Sequence, residues 1–97
     1  MSRQNPLEKQ IEAKVRVWCK ANGYLFYKFT SPAKRNVPDR LCIAPNGNVG
    51  FLELKRKGNK PTPGQAREMF ILMEQGCNVD WKDNYEDAIK FLKSLQP

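Results

Sequence analysis

Three charged side chains border two apolar stretches, and their chemistry suits a divalent cation. Asp39 precedes the apolar residues 41–44, whereas Glu53 and Lys55 alternate with leucines in the sequence Phe-Leu-Glu-Leu-Lys at 51–55. Removing an ionised carboxylate from water is unfavourable by several kcal/mol unless a positive group meets it. A metal ion is a natural partner, so we expect a cation site beside an ammonium group.

A β-hairpin would position these groups. Residues 41–44 and 49–52 are apolar enough to form two central strands, and Pro-Asn-Gly-Asn at 45–48 supplies the turn between them. Side chains alternate between the faces of a strand, so Glu53 and Lys55 share a face about 7 Å apart.

The hairpin register decides which face Asp39 occupies. A two-residue loop would direct Asp39 to the face opposite Glu53. An odd loop, such as residues 46–48, pairs Leu41 with Glu53. It also pairs Asp39 with Lys55, which puts all three charged groups on one face. We predict the odd loop.

The composition is typical of one small globular domain, which we expect to span residues 1–97. No apolar run approaches the roughly 20 residues of a membrane span. The N-terminal sequence Met-Ser-Arg-Gln-Asn-Pro lacks the apolar core of a signal peptide. We therefore expect a cytoplasmic protein that does not act at a membrane.

The chain contains no histidine, which excludes every mechanism that needs a histidine base or histidine metal ligands. Its three cysteines are Cys19, Cys42 and Cys77, each within apolar sequence. We expect buried free thiols, because a zinc site would need paired Cys or His ligands at short spacing.

The net charge of +7 is concentrated in the middle of the chain. Residues 28–60 hold eight basic and two acidic side chains, whereas the remainder is nearly neutral. The basic residues are Lys28, Lys34, Arg35, Arg40, Lys55, Arg56, Lys57 and Lys60. They surround the predicted cation site, where a phosphate backbone would have to lie. A basic surface that serves only solubility is the alternative.

Local signals predict the order helix, three strands, helix, strand, helix, which is an α+β fold with a mixed sheet flanked by helices. The first helix spans about residues 5–22, capped by Asn5 with Glu8 in a capping box. Its apolar side comprises Leu7, Ile11, Val15 and Trp18, widened by Val17 and Ala21. A strand at 24–29 and a loop at 30–37 follow.

The second helix is predicted to begin after the cap Thr62, with Pro63 at its first position and Gln65 completing a capping box. A short strand covers 78–82. The last helix starts near Asp83 or Asn84, and Asp83 stands at capping-box spacing from Glu86. We find no repeats or low-complexity segments.

The sequence resembles the VRR-NUC branch of the PD-(D/E)-x-K nuclease superfamily, particularly its small stand-alone members found in phages. The motif is Val-Pro-Asp-Arg at 37–40 followed by Phe-Leu-Glu-Leu-Lys at 51–55. Flanking sequences at 27–32 and 63–65 occur in the matching order, so the resemblance covers about residues 8–92. It implies a restriction-endonuclease-like core and phosphodiester hydrolysis with Mg²⁺ or Mn²⁺.

The resemblance also implies roles for the motif residues. Asp39 and Glu53 would bind the ion together with the backbone carbonyl of Leu54. Lys55 would position and polarise the attacking water and stabilise the negative charge that develops on the phosphate. Action of Lys55 as a formal base is the less favoured alternative.

Other residues acquire roles chiefly through the resemblance. The related nucleases carry an acid on the first helix, and we assign Glu12, otherwise a boundary residue beside the apolar side, with Glu8 as the alternative. Gln65 would bind a water or phosphate near the metal, or serve only as a cap. Lys28 would contact phosphate, or merely extend its ammonium into solvent.

Two basic loops are candidates for DNA contact. The candidate residues are Lys34 and Arg35 in the first loop, and Arg56, Lys57 and Lys60 in the second. The first loop departs from the family pattern, because Ala33 and Asn36 stand where glycines are common. This departure puts the conformation of that loop in question.

The resemblance implies a structure-specific DNA endonuclease that acts as a homodimer on branched DNA such as Holliday junctions, within the bacterial host if the protein is phage-encoded. No motif for sequence readout is present, so phosphate and shape recognition should dominate. The alternatives are a non-catalytic nucleic-acid-binding module and an inactive nuclease-fold subunit of a repair or recombination complex.

Overall fold

The computed structural model describes residues 6–97, which form three helices and four strands. The predicted order and the α+β class are confirmed. In chain order the elements are α1 (Pro6–Ala21), β1 (Leu25–Lys28), β2 (Arg40–Ile43), β3 (Val49–Leu54), α2 (Pro63–Glu74), β4 (Asn78–Lys82) and α3 (Tyr85–Ser94). The predicted Asn5 cap lies outside the described residues, as does the rest of the segment 1–5.

The four strands form one mixed sheet in the order β1-β2-β3-β4. The first three strands pair antiparallel, whereas β4 runs parallel to β3. A parallel neighbour requires a crossover connection, which α2 provides. β2 and β3 are therefore central, as predicted.

The β2–β3 hairpin has a three-residue loop. Leu41 pairs with Phe51, and the Asn48 carbonyl accepts a hydrogen bond from the Ala44 N–H at 2.9 Å. The loop therefore consists of residues 45–47, and its odd length confirms the predicted parity. The exact predicted pairing is wrong, because the turn closes one residue earlier along the chain.

This register changes the residue that Asp39 faces. When the ladder is continued past Arg40, which pairs with Leu52, Asp39 lies opposite Glu53 rather than Lys55. Asp39 remains on the same face as both charged groups, because the shift is by two residues. The early turn is possible because Gly47 adopts a φ of 89°, a left-handed conformation that glycine accepts without strain.

The core lies between one face of the sheet and the helices α1 and α3. Its fully buried residues include Val15, Cys19, Cys42, Leu52, Leu92 and Leu95. Gly50 allows close approach of α3, because a Cβ there would lie 3.0 Å from the side chains of Leu95 and Phe91. The predicted apolar side of α1 is too wide, since Val17 is 69% exposed.

Helix caps explain where α2 and α3 begin. The predicted capping box of α2 is confirmed: Thr62 Oγ1 accepts from the Gln65 N–H at 3.1 Å, and Gln65 Oε1 accepts from the Thr62 N–H at 3.0 Å. At α3 the cap is Asn84, which accepts from the Asp87 N–H. The predicted Asp83 box is wrong, because Asp83 instead accepts from the Gly58 N–H.

Two further expectations concern thiols and membranes. All three cysteines are free, with Cys19 and Cys42 buried and Cys77 partly exposed. Burial raises the pKa of Cys19 to about 11 and that of Cys42 to about 12, which makes both thiols poor nucleophiles. Within residues 6–97, no helix is long and apolar enough to cross a membrane.

Candidate metal-binding and active site

Four residues form a row across the sheet, on the face opposite the α1–α3 core. Glu53 on β3 pairs with Trp81 on β4, and Asp39 faces Glu53 from the position just before β2. The Asp39 carbonyl accepts a hydrogen bond from the Phe29 N–H at 2.7 Å, which continues the row beyond β1. Directly opposed strand residues have Cβ atoms about 5 Å apart, so the two carboxylates are brought together.

Glu53 is the most electrostatically strained member of this row. Burial raises its pKa to about 7, and the negative charge of Asp39 adds to the rise. The ammonium of Lys55, whose Nζ lies 3.7 Å from Glu53 Oε2, opposes the rise without cancelling it. Additional positive charge at this place would therefore favour the ionised form of Glu53.

Asp39 lies on the open side of the site. Its side chain is 44% exposed, whereas that of Glu53 is 12% exposed. Lys28 reaches it from β1, with Nζ 3.9 Å from Asp39 Oδ2. A ligand would thus meet Asp39 from solvent before it reached the more deeply buried Glu53.

The two acids of α1 have different partners. Glu12 Oε2 lies 2.6 Å from Arg40 Nη2, and Glu12 Oε1 lies 3.3 Å from Arg16 Nη2. Burial acts to raise the pKa of Glu12, but the hydrogen bonds and charges of the two arginines outweigh it and hold the pKa below its usual value. The charge of Glu12 is therefore already compensated within the protein.

Glu8, one helical turn earlier, interacts with the charges of the site. Burial raises its pKa, the ammonium of Lys55 lowers it, and the charge of Asp39 raises it again. The charge of Glu8 also contributes to the raised pKa of Glu53. Glu8 therefore interacts electrostatically with the charged groups of the site, and the helix acid, Glu12 or its alternative Glu8, stays a prediction.

The donor set fits a hard divalent cation. Asp39 and Glu53 offer carboxylate oxygens, and Mg²⁺ is commonly held by one or two carboxylates together with water. In the described part of the chain, no three acidic or thiol side chains are close enough to form a metal cluster by themselves. A two-carboxylate site needs no such cluster. The backbone carbonyl of Leu54 stays a predicted ligand.

Known proteins share both the sequence and this fold. The chain is 44% identical over 84 residues to "Putative nuclease p44" of Acyrthosiphon pisum secondary endosymbiont phage 1, covering 84% of this chain and 86% of that protein. A solved structure named "VRR_NUC domain" matches with a TM-score of 0.82 and 27% identity, covering 92% of this chain and 97% of the other. The chain belongs to the VRR-NUC family.

A second solved structure supports the same fold. It is named "VRR_NUC domain protein" and matches with a TM-score of 0.71, covering 97% of this chain and 91% of the other. At 19% identity this likeness shows the fold alone. No family model matches the chain. The resemblance drawn from the motif residues, to a small phage-type VRR-NUC protein, is confirmed by these relatives.

The basic residues of this VRR-NUC protein differ in exposure and in ion pairing. Arg40 is 6% exposed, and Lys34 Nζ lies 3.6 Å from Glu68 Oε1 on α2. The exposed basic residues of the two loops include Arg35, Arg56, Lys57 and Lys60. DNA contact by these side chains stays a prediction, and Arg40 cannot contribute to it while it is buried.

Both basic loops are anchored to the VRR-NUC fold. Asn36 adopts a φ of 70°, a conformation that glycine favours and asparagine tolerates, which accounts for the departure from the family pattern. Its side chain lies against Gly64, where a Cβ would be 2.7 Å from Asn36 Nδ2. In the second loop, the Gly58 N–H donates to Asp83 Oδ2 at 3.1 Å.

Two contacts near the site were not predicted from the sequence. Arg40 belongs to the basic excess of residues 28–60 but is not a candidate for DNA contact, and no local pattern signals its pairing with Glu12 on the core face. Glu68 is buried on α2 and meets Lys34, a contact between distant segments that no local pattern signals. Gln65 lies where predicted in the capping box, and its role at the metal stays a prediction.

Proposed function

We propose that this VRR-NUC protein is a metal-dependent endonuclease that hydrolyses phosphodiester bonds in branched DNA. The main support is the buried Glu53 opposite Asp39, with the Lys55 ammonium 3.7 Å away. A sheet with only a structural role would be stabilised by an apolar residue in place of such a carboxylate. The family relative named as a nuclease supports the same activity.

Asp39 and Glu53 would hold Mg²⁺ or Mn²⁺ together with the Leu54 carbonyl, and Glu8 would assist through a bound water. An ion held there would supply Lewis-acid stabilisation of phosphate charge. Lys55 contributes an ammonium that orients the attacking water and stabilises the negative charge that develops on the phosphate. The open side at Asp39 would admit the DNA backbone.

The substrate would be recognised by its shape and phosphates. Arg35, Arg56, Lys57 and Lys60 are exposed, and such side chains contact phosphates without reading sequence. Symmetric cleavage of two strands in a Holliday junction needs two active sites, and one chain carries one. A homodimer with two-fold symmetry supplies the second site. The phage relative supports action in the bacterial cytoplasm.

A cleavage assay tests the proposal. Purified protein is incubated with linear duplex, single-stranded, flap and four-way-junction DNA in Mg²⁺, Mn²⁺ or EDTA. We expect cation-dependent cleavage that is fastest on the junction. Lys55→Ala should reduce it by about 100-fold or more, since a preorganised charge at the reacting phosphate is lost. Lys93→Ala, at an exposed position on α3, is the matched control and should cleave normally.

Different outcomes of these experiments would contradict different parts of the proposal. Absence of cleavage with every cation contradicts the endonuclease activity and favours a DNA-binding module or an inactive subunit. Equal cleavage of all four substrates contradicts only the preference for branched DNA. A monomer in sedimentation experiments, both free and on junction DNA, contradicts the homodimer.

A further inference from the structure

A largely buried ion pair connects α1 to β2 on the core side of the sheet, behind Asp39. Arg40 Nη2 lies 2.6 Å from Glu12 Oε2, and the two side chains are 8% and 14% exposed. The Arg40 guanidinium also stacks on Phe26, with Cζ 4.9 Å from the ring centroid. None of these three side chains takes part in the chemistry proposed above.

Stability alone is a weak reason for this pair. Taking two charges out of water offsets much of their mutual attraction, so an apolar pair of similar volume is often as stable or more so. Within residues 6–97, Arg40 Nε is moreover the buried side-chain polar atom that has no hydrogen-bond partner. An unsatisfied buried donor is unfavourable by about 1–3 kcal/mol. The pair therefore calls for another explanation.

The positions of Arg40 and Glu12 in the chain suggest such an explanation. Arg40 follows Asp39 in the chain, and adjacent strand residues project to opposite faces. An Arg40 side chain fixed on the core face therefore fixes the direction of Asp39 on the site face. Glu12 stands four residues after Glu8, on the same side of α1. One contact thus ties the strand that carries Asp39 to the helix that carries Glu8.

We propose that the Glu12–Arg40 ion pair is a positioning device that holds Asp39 and Glu8 in register for cation binding, and that Glu12 acts through Arg40 rather than on the ion. This inference rests on the proposed function of the site. It assigns to Arg40 a role that requires burial, and to Glu12 a role distinct from that of a metal ligand.

Cation affinity and kinetics of single variants provide the first test. Mn²⁺ binding to the full chain is titrated calorimetrically without DNA, and junction cleavage gives kcat and KM separately. Arg40→Lys should weaken Mn²⁺ binding by about tenfold or more and lower kcat, with KM for DNA unchanged, because lysine cannot reproduce the planar guanidinium contact. Arg16→Lys is the matched control, since Arg16 also contacts Glu12 but only from within α1. It should behave as wild type.

A double variant distinguishes positioning from direct ligation. If Glu12 acts through Arg40, the double variant Glu12→Gln/Arg40→Lys should bind Mn²⁺ as tightly as whichever of the two single variants binds it less tightly. Glu8→Gln combined with Arg40→Lys should bind Mn²⁺ less tightly than either of its single variants. Full additivity of the Glu12 and Arg40 effects would show that Glu12 ligates the ion independently, which overturns the inference.

Folding controls complete the design. If Arg40→Lys does not fold, the apolar pair Glu12→Leu with Arg40→Met is used, and a folded variant with weak Mn²⁺ binding supports positioning. Folded variants with normal Mn²⁺ affinity and kcat overturn the inference while wild-type cleavage still supports the proposed function. Failure of both designs to fold shows a purely structural pair and also overturns it. A wild-type protein that neither binds Mn²⁺ nor cleaves DNA overturns both.

Discussion

At the scale of single residues, the site is defined by an imbalance of charge. Glu53 and Asp39 face each other across two central strands, whereas the nearest ammonium to Glu53 belongs to Lys55, 3.7 Å away. Glu12, in contrast, has two arginine partners and a lowered pKa. Glu12 is thus compensated by two arginines, whereas Asp39 and Glu53 share a smaller positive charge from Lys28 and Lys55. A cation would correct the imbalance at these two carboxylates.

The raised pKa of Glu53 predicts how the metal-free protein responds to pH. Its folded-state pKa of about 7 exceeds the ordinary value of 4.5, so the folded state holds a proton that the unfolded state has released between these values. The stability that Glu53 contributes is present below about pH 4.5 and is lost as pH rises through about 7. At pH 8 the free energy of unfolding of Glu53→Gln should therefore exceed that of wild type by up to about 3 kcal/mol, whereas at pH 5 the difference should be small.

Urea unfolding in EDTA at pH 5 and pH 8 measures this difference. Adding Mn²⁺ at pH 8 should raise the free energy of unfolding of wild type but not of Glu53→Gln, because a ligand stabilises only the state that binds it. Glu74→Gln, at an exposed position on α2, serves as the control. If the difference in free energy of unfolding between wild type and Glu53→Gln did not change with pH, the raised pKa of Glu53 would be contradicted.

At the scale of elements, most helices and strands could be predicted from the sequence because their signals are local. The Thr62 cap, the Pro63 start and the Asn-Gly turn each act within a few residues, and α2 and the β2–β3 hairpin formed as predicted. The exact register did not follow, because two odd loops of equal length differ only in where the turn closes. The choice between Glu12 and Glu8 as the helix acid stays a prediction, since both lie on one side of α1 and only tertiary contacts distinguish them.

The capping box of α2 allows the two roles of Gln65 to be separated. Gln65→Glu keeps an oxygen for the Thr62 N–H, so stability should change by less than about 0.5 kcal/mol. Gln65→Ala loses that bond and should lose about 1 kcal/mol. If the amide also binds water or phosphate near the metal, both variants should cleave junction DNA more slowly.

Stability from urea unfolding and cleavage rates on the four-way junction together decide this question. Thr62→Ser, which preserves the cap hydroxyl, is the control and should leave both quantities unchanged. A Gln65→Glu protein that folds and cleaves as well as wild type would leave Gln65 with the capping role alone.

At the scale of the whole molecule, charge is the property that the sequence predicted only in outline. The excess of basic residues between positions 28 and 60 is a matter of counting, but their availability is not. Arg40 is buried against Glu12, and Lys34 pairs with Glu68, because tertiary packing brings acids from two helices to them. Fewer basic side chains are therefore available for DNA contact than the count suggests, and most of the exposed ones lie in the two loops.

The dependence of DNA binding on salt measures this DNA contact. Each phosphate contact contributes about 0.9 to the slope of log K against log salt concentration, because neutralised phosphates release counterions. Arg56→Ala and Lys60→Ala should each reduce the slope by about 1, since both side chains are exposed in the loop that follows Lys55. Lys34→Ala should reduce it less, because Glu68 already partly compensates that charge. Binding is measured in EDTA from about 50 to 200 mM salt, where affinity is sensitive to phosphate contacts. Lys93→Ala, on the helix that covers the opposite face of the sheet, is the control and should leave the slope unchanged. If all four substitutions changed the slope equally, the effect would come from net charge rather than from DNA contact by the loops.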